Sequence, residues 1–154
     1  MIAKAIVLTL VLYLVGAAVC FAQDTQMGTW KLNEAKSKLA SGGPKNTMVV
    51  CAAAGDDVKV TVDGVGGDGK PTHNDGRASS TARTIPVTRD PTSDERSYMK
   101  IDDRTLGLNL QNGGKNTISG RIAVSVDGKT RTVTVSGTDP TGKKFQSSAV
   151  YDKQ

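Results

Sequence analysis

From Thr47 onward the chain alternates apolar and polar side chains in short runs separated by turn residues. Val58, Val60 and Val62 alternate with Lys59, Thr61 and Asp63, and Asp63-Gly64 closes the run. Leu106, Leu108 and Leu110 keep the same spacing up to Asn112-Gly113-Gly114. Ile118, Ile122, Val124 and Val126 share a parity and end at Asp127-Gly128, and Val133 and Val135 lead to Asp139-Pro140-Thr141-Gly142. Met99 and Ile101 precede a turn at Asp102-Asp103, and Phe145, Ala149 and Tyr151 mark a last strand. A period of two places successive side chains on opposite faces of a strand, so each run predicts a strand with one apolar face. Asn-Gly and Asp-Gly suit tight hairpins, because a type I′ turn needs positive φ at both central residues. Ile85 and Val87 flank Pro86, which predicts an edge, since proline cannot donate to a ladder. The polar residues 70–80 read as a ragged strand with His73 in an exposed loop at 71–76.

Before this meander stands Gly28-Thr29-Trp30-Lys31-Leu32, which holds the only tryptophan. Trp30 and Leu32 lie two apart, so the stretch is a strand with Trp30 facing inward. Burying one Trp removes about 150–250 Å² from water, or roughly 4–6 kcal/mol. In a chain with 4% aromatic residues this is the largest single core contribution, a plug at one end of the β core. Asn33 follows and can cap one helical turn over residues 34–38, after which Ser41-Gly42-Gly43-Pro44 breaks the chain. The whole pattern predicts an all-β, up-and-down antiparallel meander of about 8–10 strands. Closing it into a barrel removes both sheet edges. A β-sandwich is the alternative.

The first 22 residues change the picture of domains and place. Lys4 precedes an apolar run over residues 5–19, and Cys20-Phe21-Ala22 puts small residues at −3 and −1 for cleavage before Gln23. Residues 1–22 therefore read as a signal peptide and residues 23–154 as a single β-barrel domain, secreted or periplasmic. The run is short for a membrane span and no stop-transfer signal follows it. Outward parities of Lys, Thr, Ser, Asp and Arg do not make a lipid-facing band either. Removing the leader takes Lys4 away and lowers the net charge from +5 to +4. It also removes Cys20, so Cys51 is left alone and reads as a small buried hydrophobe.

Gly28-Thr29-Trp30-Lys31-Leu32, followed by a short turn and a meander, resembles the calycin group of lipocalins and fatty-acid-binding proteins. In these families the opening strand carries a Gly-x-Trp whose Trp packs across the barrel floor. Ala149-Val150-Tyr151-Asp152-Lys153 also looks like the last strand of the intracellular fatty-acid binders. Gly-Thr-Trp-Lys-Leu-Asn with Ala35-Lys36-Ser37-Lys38 resembles small secreted bacterial lipocalin-like proteins. The resemblance implies structural anchor roles for Gly28 and Trp30. The Arg-x-Tyr with which the fatty-acid binders hold a carboxylate is absent from the last strand, where Ser148 or Ala149 stands instead.

Candidate chemistry is sparse. His73 is the only histidine, too few for a typical zinc site or a Ser/His/Asp arrangement. Asp102-Asp103 reads as a hairpin turn rather than an acid–base pair, because adjacent strand residues face opposite ways. Asp63-Gly64, Asp68-Gly69 and Asp127-Gly128 lack the spacing of a calcium loop, and the glycines at 64–69 lack the strand–loop–helix setting of a phosphate loop. Basic and acidic residues are interspersed, with no basic stripe and interleaved aromatics for nucleic acid. The expectation is a monomeric, non-enzymatic binding protein with no catalytic residue, metal or cofactor and no nucleic-acid partner. It would carry a small apolar or amphipathic molecule against Val60, Met99, Leu108, Val124 and Val135. The alternative is a filled core acting through its surface on the envelope or another protein.

Overall fold

A computed structural model describes residues 24–79, 84–86, 93–139 and 141–154. The leader expectation for residues 1–22 lies outside them, as does Val87. Ten strands follow one another: β1 (Gly28–Leu32), β2 (Lys45–Ala54), β3 (Asp57–Val65), β4 (Pro71–Ser79), β5 (Thr84–Pro86), β6 (Glu95–Lys100), β7 (Thr105–Asn112), β8 (Lys115–Val124), β9 (Thr130–Thr138) and β10 (Lys144–Lys153). They form one antiparallel sheet in the order β4-β3-β2-β1-β10-β9-β8-β7-β6-β5. Every chain neighbour is a sheet neighbour except across the β4–β5 step, and β1 pairs with β10. β4 comes alongside β5 and β6 without a ladder to either among the described residues, so the barrel is nearly closed. Pro86 sits in β5, the terminal strand of the sheet order, as the edge expectation for a proline requires.

The turns follow from local chemistry. Asn112 pairs with Lys115 around Gly113 (φ +57°) and Gly114 (φ +75°), the two-residue loop with two positive φ angles expected of a type I′ hairpin. The longer β8–β9 and β9–β10 connections each use one positive-φ glycine, Gly128 (φ +71°), which donates to the Ser125 carbonyl, and Gly142 (φ +85°), which donates to the Asp139 carbonyl. Asn33 caps a single 3₁₀ turn, Glu34–Lys36, by accepting the Lys36 N–H at 3.2 Å.

Three expectations are corrected. Residues 71–76 are not a loop: they belong to β4, whose backbone pairs with β3 from Val65↔Pro71 to Asp57↔Ser79. Asp63-Gly64 does not end β3, which runs on to Val65. A Cβ on Gly64 would collide with the Lys45 carbonyl, so close strand approach, not a turn, demands glycine there. Val126 lies in the β8–β9 turn, 84% exposed, off the apolar face whose parity it shares.

Candidate ligand-binding interior

Cross-strand partners share a face, so the ladders define which parity points into the barrel. One row runs Asn74–Val62–Val49–Trp30–Lys153 across β4, β3, β2, β1 and β10. Another runs Leu32–Tyr151–Arg131–Val124. Toward the other end Tyr98 pairs with Leu108, which pairs with Gly120, which pairs with Val135. The buried apolar side chains fall into two groups, one around Trp30 and one of Leu108, Leu110 and Ile122, and Val133 packs against both.

Of the residues expected to line a cavity, Val60, Leu108 and Val124 are buried and inward-facing. Val135 faces inward but is only half-buried. Met99 is a correction. It pairs with Gly107 on the outer face and is 55% exposed, because the β6–β7 ladder turns its neighbour Tyr98 inward. Val133, Leu106, Ile118 and Ala149 face inward yet also stay half-buried. Gly76 shares the face of Asn74 and Ala78 opposite buried Val60, and a Cβ added to it would meet nothing within 4 Å. A densely packed interior leaves few such positions.

The floor is built around Trp30, which is fully buried. Its indole N–H donates to the Gln26 carbonyl at 3.0 Å, within a 3₁₀ turn (Asp24–Gln26) that crosses the barrel end. That turn is tied to the β6–β7 connection by Thr25 donating to the Asp103 carbonyl at 2.8 Å and Gln26 to Arg104 at 3.0 Å. Lys153 Nζ lies 5.2 Å from the Trp30 ring centroid. Gly28 has φ +114°, and a Cβ there would sit 2.9 Å from Lys153 Cε, so the glycine of Gly-x-Trp both bends the chain and lets the lysine reach the ring.

Arg131 makes the other cation–π contact, its Cζ 6.0 Å from the centroid of the same ring. It is 6% exposed, its Nη1 donates to Cys51 Sγ at 3.8 Å, and its Nε has no partner. No carboxylate among the described residues pairs with it. The nearby acids cannot stand in for one. Burial pushes the Cys51 thiol up, with Arg131 opposing in part. Burial likewise pushes Tyr151 up to about 12, and its hydroxyl donates to the Asn46 carbonyl at 3.2 Å. An uncompensated buried charge costs several kcal/mol, and a cation–π contact returns only about 0.5–2. Asn74, 7% exposed, likewise leaves its Oδ1 unbonded on the inner face. Sequence reading missed both residues. The signal for Arg131 was its parity, which is that of Val133 and Val135; Asn74 carried none.

Outside the barrel, His73 bridges two carboxylates: Nδ1 meets Asp63 at 2.6 Å and Nε2 meets Asp75 at 3.2 Å. Among the described residues no group of three or more His, Cys, Asp or Glu is placed to hold a metal ion. Hydrogen bonds to Asp63 and then Asp75 raise the imidazole above its ordinary 6.5. Because the folded state holds the proton more tightly, this contribution to stability is complete below pH 6.5 and is lost as the pH rises through the raised value. Asp75, lowered first by its bond from the Thr61 hydroxyl and then by His73, contributes above the ordinary carboxylate value and loses that as the pH falls through its own. An NMR titration of the single histidine should show a midpoint above 6.5 that drops back in Asp63→Asn. An unchanged midpoint would mean that the bridge does not form in solution.

A concavity lies on the outer wall, across β8, β9 and β10. It is an open groove of about 400 Å³ flanked by Ser119, Arg121, Thr132, Thr134, Ser136 and Gln146.

No protein family and no curated protein matches the sequence. Two solved structures are similar in fold. One, described as "Structure of EF1p2_mFAP2b bound to DFHBI", has a TM-score of 0.50 and 12% sequence identity over 87% of this chain and 98% of its own. The other, described as a de novo design of a fluorescence-activating beta barrel, has a TM-score of 0.44 and 17% identity over the same shares, 87% and 98%. At this identity the first establishes the fold, a β-barrel.

Proposed function

We propose that the chain is a secreted or periplasmic, lipocalin-like barrel that binds rather than catalyses, and that it carries a small apolar or amphipathic molecule in its lumen. The observation that carries this reading is the interior itself. Val133, Val135, Leu106 and Ile118 point inward and remain half-buried, and Gly76 faces open space. A lumen lined by apolar side chains with a few convergent polar groups is the usual form of a small-molecule site. The similar barrel described as bound to DFHBI is in keeping with that use. The short apolar run after Lys4 supports export.

Trp30, at the floor, supplies the readout. Titration with the neutral apolar dye N-phenyl-1-naphthylamine should quench Trp30, and Leu108→Arg should weaken binding by about 100-fold or more, because it places an unpaired charge in the lumen. Val135→Phe, which fills space without adding charge, should weaken it too. Unchanged binding in folded variants of both would contradict the lumen as the site. The groove on the outer wall favours a second reading, action through the surface on an envelope component. Absence of any dye uptake would support it.

A further inference from the structure

We infer that the groove on the outer wall binds an acidic sugar chain, with Arg121 taking a carboxylate and the surrounding hydroxyls taking those of the sugar. The inference does not depend on the lumen holding a ligand. The ladders set Ser119 against Ser136 and Ser136 against Gln146, and two residues further along β8 they set Arg121 against Thr134. Thr132 holds the next position of the same parity on β9. All of these side chains face outward, because Ile122, Val133 and Val135 between them face the interior. Cross-strand neighbours lie about 5 Å apart, so the hydroxyls of Thr134 and Ser136 stand within reach of one ligand together with Arg121. The groove of about 400 Å³ is within the usual size of a small-molecule site, roughly 300–1,000 Å³.

Charge selects the sign of the ligand. β7, β8 and β9 contain no Asp or Glu. The one acid of β10, Asp152, lies at its far end and is taken up by Asn33 at 2.6 Å and Lys36 at 3.4 Å. Asp139, in the β9–β10 turn, accepts the N–H groups of Thr141 and Lys143. The wall of β3 and β4 is built the opposite way: Thr61, Asp75, His73 and Asp63 bond to one another, and Arg77 faces Asp57 at 3.9 Å. Among the described residues, Arg121, Thr132, Thr134, Ser136 and Gln146 have no such side-chain partners. A guanidinium fork matches the two oxygens of a carboxylate, and hydroxyls and an amide both donate and accept, as a sugar's hydroxyls do. A single-stranded nucleic acid would need aromatic rings to stack on, and the groove has none.

The test titrates trigalacturonate and trimannuronate into the purified chain at low ionic strength, where an exposed ion pair is least screened. Calorimetry gives the affinity, and the side-chain amide resonances of Gln146 report the place. The better of the two is expected to bind about tenfold more tightly than its neutral methyl ester, and than tricarballylate, which has the carboxylates without the sugar. Arg121 is exposed, so Arg121→Gln should fold as the parent chain does and bind the acid no better than the ester. Thr134→Val, which removes a hydroxyl and keeps the shape, should weaken acid and ester alike. The Gln146 amide of the wild-type chain should shift with the acidic trisaccharide, and uptake of N-phenyl-1-naphthylamine should be the same in Arg121→Gln as in the parent. Equal affinity for acid and ester overturns the role of Arg121. Tricarballylate binding as tightly as the trisaccharide overturns the sugar in favour of a bare polyanion. No shift at Gln146, or dye uptake altered by Arg121→Gln, overturns the outer wall as the site. Failure of both trisaccharides overturns the inference and leaves the carrier reading standing.

Discussion

Trp30→Ala is expected to lower the stability of the chain by about 3–5 kcal/mol, a large part of the roughly 5–15 kcal/mol that keeps a domain folded. Among the described residues Trp30 is the one large side chain that is fully buried, and Val49, Cys51, Val60, Val62, Val124 and Tyr151 form one cluster with it. Deleting the ring opens a void that β strands tied into a barrel cannot collapse around, strips the Gln26 carbonyl of its N–H partner and removes the ring that both Arg131 and Lys153 contact. Urea unfolding followed by far-UV circular dichroism measures the loss. Trp30→Phe, which keeps an aromatic face but not the indole N–H, should fall between the two. A loss below about 1 kcal/mol for Trp30→Ala would mean that the floor is not where this barrel's stability is concentrated.

Gly120→Ala should cost about 1–3 kcal/mol, and Gly137→Ala a similar amount. Gly76→Ala should be neutral or slightly stabilising. All three glycines lie within strands, so composition does not separate them; their neighbours do. A Cβ on Gly120 would run into the Thr134 carbonyl and lie 2.7 Å from Val135 Cγ1, and one on Gly137 would run into the Thr117 carbonyl. Each therefore marks a place where β8 and β9 approach too closely to admit a side chain. Gly76 meets nothing within 4 Å, and its φ is not in the left-handed region, so alanine only restricts the unfolded chain. Thermal unfolding of the three variants side by side is the measurement. A Gly76→Ala variant as damaged as Gly120→Ala would show that the lumen is filled at that point, and would count against the carrier reading as well as against the packing argument.

The strands and their hairpins were legible because they rest on local rules. Strict alternation at Leu106, Leu108 and Leu110 marks a half-apolar strand wherever it occurs, and Asn112-Gly113-Gly114 can satisfy a type I′ turn with no help from the rest of the chain. Trp30 was legible as the plug because one large ring in an aromatic-poor chain has few other places to go. The inward side of each strand was not always so. In Ser97-Tyr98-Met99-Lys100-Ile101 both parities carry an apolar residue, and only the ladder to β7, which sets Tyr98 against Leu108, turned Met99 out to solvent. Residues 70–80 read only as a ragged strand, because they carry no continuous apolar face, and the same stretch reads equally as a loop around His73. The paired edge of β3 supplies the partners for their backbone, and it sets His73 between Asp63 and Asp75.

Closure decided what matters for function. The alternation of Arg131, Val133 and Val135 placed them on one face, but a charge on that face is ordinary at a sheet's wet end. It becomes a buried, half-satisfied guanidinium only once β1 pairs with β10, the Asp24–Gln26 turn crosses the end and Trp30 lies against it. Period-two patterning by itself determined the strands, their turns and one apolar side. Long-range pairing, which no short window of sequence contains, determined which side faces the barrel interior and which polar groups it buries.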